Sequence, residues 1–110
     1  MHYMSVKQKG FDLLKSGQKT VEMCLFDLEK QKIKMGDYIL FLNQENQKET
    51  FEGKVVNLYW DKNFDLLAKR LNPLSAGFQT RDDLLMNLKK DYSLKEQEAY
   101  GVVGIEINRQ

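Results

Sequence analysis

Six consecutive residues, Gly17-Gln18-Lys19-Thr20-Val21-Glu22, bring an ammonium, a hydroxyl and a carboxylate into one short stretch of chain. Lys19 can donate to a phosphate or a carbonyl oxygen, and Glu22 can accept from the amino group of a base or act as a general base toward water. Thr20 adds a hydroxyl that can hydrogen-bond or serve as a nucleophile, and the turn from Ser16 to Thr20 offers backbone N–H groups to one phosphate or base edge. Two more distant residues complete a candidate nucleotide site. They are Asn43, whose amide can read a base edge, and Trp60, the best placed of Tyr38, Tyr59, Trp60 and Tyr100 to stack an unpaired base.

Other chemistries lack material. The single histidine, His2, leaves no His-Cys or His-carboxylate cluster, so neither a zinc site nor a Ser-His-Asp triad is expected, and His2 reads as a frayed or packed terminal residue. The seven glycines are scattered without a phosphate-cradling loop, and no cofactor is implied. A lone cysteine, Cys24, has no partner for an internal disulfide and reads as a packed strand residue. With no long apolar run and no leader-like start, the expectation is a cytoplasmic protein without a membrane segment.

The elements that must position the motif follow from periodicity. Ser5-Val6-Lys7-Gln8 resembles a capping box, Val6, Phe11, Leu13 and Leu14 form an apolar stripe, and Gly17 should stop this first helix just before Lys19. Strands are predicted at Thr20 to Leu25 and Asp37 to Asn43, a hairpin or loop at Gln44 to Glu49, and a longer strand from Thr50 to Trp60. Strict alternation puts Lys19 and Glu22 on opposite faces unless a bulge intervenes. Helices follow from Asn63 to Leu71, ended by Asn72-Pro73, and from Thr80 to Lys90. Ser93-Leu94-Lys95-Glu96 is a second capping box that starts a short helix to Ala99, and Val102 to Ile107 is the last strand. Strands and helices do not alternate regularly, which favours an α+β domain over a doubly wound sheet.

A chain of 110 residues, 42% hydrophobic and without a Pro/Gly/Ser-rich linker, suits one domain with one modest core. Seventeen basic and sixteen acidic residues leave a net charge of +1, which weighs against avid, non-specific nucleic-acid binding. The charge is uneven, with seven lysines against four acids in the first 35 residues, so a local basic face at Lys7, Lys9, Lys15 and Lys19 remains available.

The motif Gly17-x-Lys19-x-x-Glu22, followed by Gly36-Asp37-x-Ile39-x-Phe41, resembles the ASCH domain, a relative of the PUA domain. Further blocks resemble it in the same order: Met1-His2-Tyr3-Met4, Phe11 with Lys15-Ser16-Gly17, Phe41-Leu42-Asn43, and Tyr100-Gly101-Val102-Val103-Gly104-Ile105. The resemblance spans residues 1 to 110 as a single domain and implies a small, mixed, partly closed β barrel flanked by helices, with a cleft at the Lys-Glu motif. Two basic positions depart from it. Cys24 stands two residues after Glu22, and Lys30 stands where the family carries a second arginine, so the planar guanidinium forks are missing. Three functions are expected, the first two implied by the resemblance and the third left open by the near-neutral charge and the missing arginine. The first is binding of RNA, single-stranded or modified, or of a nucleotide, through Gly17, Lys19, Thr20, Glu22, Asn43 and Trp60. The second is a small amidohydrolase acting on N4-acetylcytidine or a related nucleoside through Lys19, Thr20 and Glu22, although Glu22 stands where those enzymes carry a hydroxyl nucleophile. The third is a protein-interaction module. None of the three calls for a metal.

Overall fold

The computed structural model describes residues 1–110. Five strands and four helices follow one another as β1 (His2–Val6), α1 (Gln8–Ser16), β2 (Val21–Leu25), β3 (Tyr38–Asn43), β4 (Asn46–Asp61), α2 (Phe64–Ala68), α3 (Arg81–Asp91), α4 (Leu94–Tyr100) and β5 (Val102–Arg109). The strands form one curled sheet, a half-barrel in the order β1-β3-β4-β5-β2, giving the mixed α+β, PUA-like architecture that the sequence implied. Only β1 and β3 run parallel; the other neighbours are antiparallel.

Each face of the sheet carries its own core. On one face α1 brings Phe11 and Leu14 against Ile39, Phe41, Phe51, Val55 and Ile105. On the other, Val21, Met23, Leu25 and Val102 meet Phe64, Leu67 and Ala68 of α2 and Leu84 and Leu88 of α3. Strands covered on both sides cannot follow an in-out polar pattern, which is why Val21, Met23, Cys24 and Leu25 are all buried although they lie on opposite faces. Cys24 is a packed core residue, as its context implied. Burial, and secondarily the charge on Glu22, pushes its thiol up to about 12, so no reactive thiolate forms.

The N-terminus departs from expectation. Ser5 lies inside β1 and caps nothing, because Met4 and Val6 turn into the core while residues 2 to 6 pair with Ile39 to Asn43. The start of α1 is capped from a distance instead, where the Gln8 N–H donates to the Glu45 carboxylate at 2.9 Å. His2 is not frayed: its Nε2 lies 2.8 Å from Asp37 Oδ2, which also accepts the Lys34 N–H. Those two hydrogen bonds, His2 first, hold the Asp37 carboxyl below its ordinary value.

Elsewhere the differences are of length. β4 begins at Asn46 because only Gln44 and Glu45 turn the hairpin, and α2 stops at Ala68, ahead of the Asn72-Pro73 break. The local helix starts are where the sequence put them. Asn63 accepts the Leu66 N–H, Thr80 accepts the Asp83 N–H, and Ser93 with Glu96 forms a complete capping box. No helix is long and apolar enough to cross a membrane.

Candidate functional site

Helix α1 ends at Gly17, whose φ of 85° is the left-handed geometry that glycine tolerates best, and the chain is then tied down residue by residue. Lys19 N–H donates to Leu13 O at 3.0 Å, Thr20 N–H donates to Ser75 O at 2.9 Å, and Thr20 O accepts from Ile107 N–H at 2.8 Å. The backbone of residues 19 and 20 is therefore anchored to α1, to the 3₁₀ turn at Pro73–Ala76 and to β5 before β2 begins. Lys19, bonded to α1, lies outside the β2–β5 ladder, which reaches back only to Thr20 opposite Ile107. Lys19 and Glu22 consequently meet without any bulge, with Nζ 2.6 Å from Oε1. Their side chains are 12% and 17% exposed, so the pair is largely withdrawn from water yet opens on a cavity.

Two glycines seat the lysine. A Cβ placed on Gly77 would fall 3.2 Å from Lys19 Cδ and 3.2 Å from Leu13 Cδ1, so the bare backbone there leaves room for the lysine stem. A Cβ on Gly10 would lie 3.7 Å from Lys19 Nζ, placing the ammonium against α1. The cavity holds about 400 Å³. Its near wall is Lys9, Gly10 and Leu13, its floor Lys19, Glu22 and Met23, and its far wall Phe78, Leu84, Leu88 and Tyr92. At its margin Lys7 Nζ donates to Asp91 Oδ1 at 3.2 Å, joining the start of α1 to the end of α3. The Tyr92 phenol is pushed well above its ordinary value, first by burial and then by nearby Cys24 and Glu22, and stays a neutral hydroxyl. The site can thus present a cation, an anion and apolar or aromatic walls to a ligand the size of one nucleotide.

No family model matches the chain, and no curated protein sequence is similar to it. Solved structures are. The crystal structure of hypothetical protein PH0355 superposes with a TM-score of 0.86 at 26% identity, covering all of both chains. The solution structure of protein PF0455 from Pyrococcus furiosus gives 0.72 at 19% identity, over 98% of this chain and 96% of that one. A mutant of ZmASCH from Zymomonas mobilis gives 0.65 at 14% identity, over 96% of this chain and 66% of that one. The chain folds as an ASCH-like domain.

Within this ASCH-like domain the residues singled out from sequence do not all converge. Lys19 and Glu22 line the cleft; Gly17, Thr20, Asn43 and Trp60 do not. Gly17 ends the helix, and the contribution of Thr20 is its doubly bonded backbone. Asn43 is fully buried, with Nδ2 donating to Glu49 Oε1 and Oδ1 accepting the Glu45 N–H, both at 3.0 Å. It organises the β3–β4 hairpin and has no free edge for a base. Trp60 is 51% exposed but packs edge-on against Phe26, away from the cleft. The residues that sequence reasoning did not single out are Gly77, Phe78 and Tyr92. Each sits beside a helix boundary, and no local pattern distinguishes it from an ordinary connector.

The seat of Lys19 can be tested with two glycines of similar backbone. Gly17 (φ 85°) and Gly77 (φ 91°) both disfavour a side chain, so Gly17→Ala and Gly77→Ala should each cost about 1 kcal/mol of stability from backbone strain. Around Gly17 a Cβ meets nothing within 4 Å, whereas at Gly77 it presses on Lys19. Only Gly77→Ala should therefore shift the Lys19 side-chain resonances. Equal Lys19 spectra in the two variants would show that Gly77 does not hold the lysine.

Proposed function

We propose that the cleft binds one nucleotide unit, either free or as an unpaired residue of single-stranded or modified RNA. The observation that carries this reading is the Lys19–Glu22 pair, held at 2.6 Å at the floor of a cavity of about 400 Å³. Lys19 donates to a base carbonyl or ring nitrogen, Glu22 accepts from an exocyclic amine, and Phe78 and Tyr92 offer apolar and aromatic surface to the ring. A volume of about 400 Å³ suits a single residue better than a long stretch of chain, in keeping with a net charge of +1. An amide chemical-shift titration with a short single-stranded RNA checks it. Perturbations at Glu22, Met23, Gly77, Phe78 and Tyr92 are expected, whereas shifts scattered over exposed lysines, fading as salt rises, would reduce the interaction to non-specific contact.

A second reading is supported by the same ion pair. An ammonium beside a carboxylate in a sheltered pocket can hydrolyse an acylated amine such as N4-acetylcytidine. Glu22 would take a proton from water as the oxygen attacks the acyl carbon, Lys19 would stabilise the oxyanion, and that proton would pass to the departing amine. Thr20 is absent from the cleft lining, so a bound water suits this geometry better than a threonine nucleophile. Cytidine released from N4-acetylcytidine by the native chain but not by Lys19→Ala would select this reading over binding alone.

A further inference from the structure

We infer, resting on the nucleotide reading, that Lys9 is the residue that receives the phosphate of the bound nucleotide. Five charged side chains line the cleft: Lys7, Lys9, Lys19, Glu22 and Asp91. Four of them cancel in pairs, Lys19 with Glu22 at 2.6 Å and Lys7 with Asp91 at 3.2 Å. Lys9 has no acidic partner in this set, so the cleft keeps one unneutralised positive charge. Its place is informative. Lys9 is exposed on α1 and is followed directly by Gly10, the residue against which the Lys19 ammonium rests. Consecutive residues of α1 therefore bring to the same cleft an exposed cation, Lys9, and the bare backbone of Gly10 on which the sheltered ion pair rests. A ligand with its base edge on Lys19 and Glu22 directs its other end toward solvent, where Lys9 stands. A neutral nucleoside would leave that charge unanswered, and a phosphate would neutralise it with a charge-assisted hydrogen bond.

Calorimetric titration of the four nucleosides, their 5′-monophosphates and a short single-stranded RNA, into the native chain and into Lys9→Ala and Lys9→Glu, tests this. Lys9 makes no side-chain bond within the fold, so both variants should fold normally. For the base that binds, the phosphorylated form should bind about tenfold tighter than the nucleoside. That ratio should fall toward one in Lys9→Ala and below one in Lys9→Glu. RNA binding tighter than the monophosphate would assign the phosphate to a chain, and equal affinities would assign it to a free nucleotide; both support the inference. An advantage that survives both substitutions would overturn the role of Lys9 and leave the nucleotide reading standing, whereas nucleosides that bind as well as their monophosphates would overturn that role too and leave only base recognition by Lys19 and Glu22. Binding by none of these compounds would overturn both.

Discussion

Glu22→Ala and Lys19→Ala are each expected to destabilise the domain by about 1–3 kcal/mol and to weaken ligand binding by about tenfold or more. Removing either partner strands the other charge at 12% or 17% exposure with no counter-charge at 2.6 Å. A fully buried pair broken in this way costs about 3–5 kcal/mol, and access to the cleft lowers that figure because water can reach the remaining group. Lys19→Met combined with Glu22→Gln removes both charges at nearly constant volume and should recover most of the lost stability. Binding should not recover, since neither the cation nor the anion remains to meet a base. Chemical-denaturation midpoints for the native chain, Lys19→Met, Glu22→Gln and the combined variant form a double-mutant cycle for the pair's share of stability, and ligand titrations of the same four proteins separate that share from binding. A Lys19→Ala chain that unfolds and binds like the native protein would show that the pair serves neither purpose.

Phe41→Ala should cost about 3–5 kcal/mol, the range for deleting a buried aromatic ring. Phe41 is fully buried and stacks on Phe51 at 4.9 Å with the rings 11° from parallel, while Phe11 of α1 meets Phe51 edge-on at 5.2 Å. These three rings join α1 to the sheet. Because Gly10 and Leu13 of α1 form the near wall of the cleft, the void left by Phe41 should loosen the site as well as the core. In a domain whose total stability is about 5–15 kcal/mol, the loss is a large fraction of the whole. The denaturation midpoint should fall while the slope with denaturant stays unchanged. A change below about 1 kcal/mol would mean that the core closes over the gap, and the ring stack would then not be what anchors α1.

Local, short-range terms are what the sequence recorded faithfully. The apolar runs of β2, β3 and β5, the stop at Gly17, and the caps at Asn63, Thr80 and Ser93 all lie within a few residues of the structure they dictate. The first element was misread for the same reason. Ser5-Val6-Lys7-Gln8 has the local form of a capping box, and only pairing with β3, more than thirty residues away, makes Ser5 a strand residue. Asn43 and Trp60 show the converse. A polar residue at a strand end and an exposed aromatic ring both suggest a ligand contact, but burial by the hairpin satisfied the first and the run of β4 carried the second away from the cleft.

The candidate site divides along the same line. Lys19 and Glu22 were legible because their chemistry is carried by residue type and their closeness by three positions of chain. That they touch was decided by the backbone bonds of Lys19 to Leu13 and of Thr20 to Ser75, which turn the chain aside just before β2, while the Thr20 carbonyl keeps the β2–β5 register with Ile107. The far wall, Phe78, Leu88 and Tyr92, lies more than fifty residues downstream and arrives because α3 must cover Val21 and Met23 on the second face of the sheet. A sequence determines the spacing of its apolar residues and the chemistry of its side chains directly. Which distant side chains then share a cavity depends on how two faces of one sheet are covered, and that is settled only when long-range burial outweighs the entropy of closing the intervening chain.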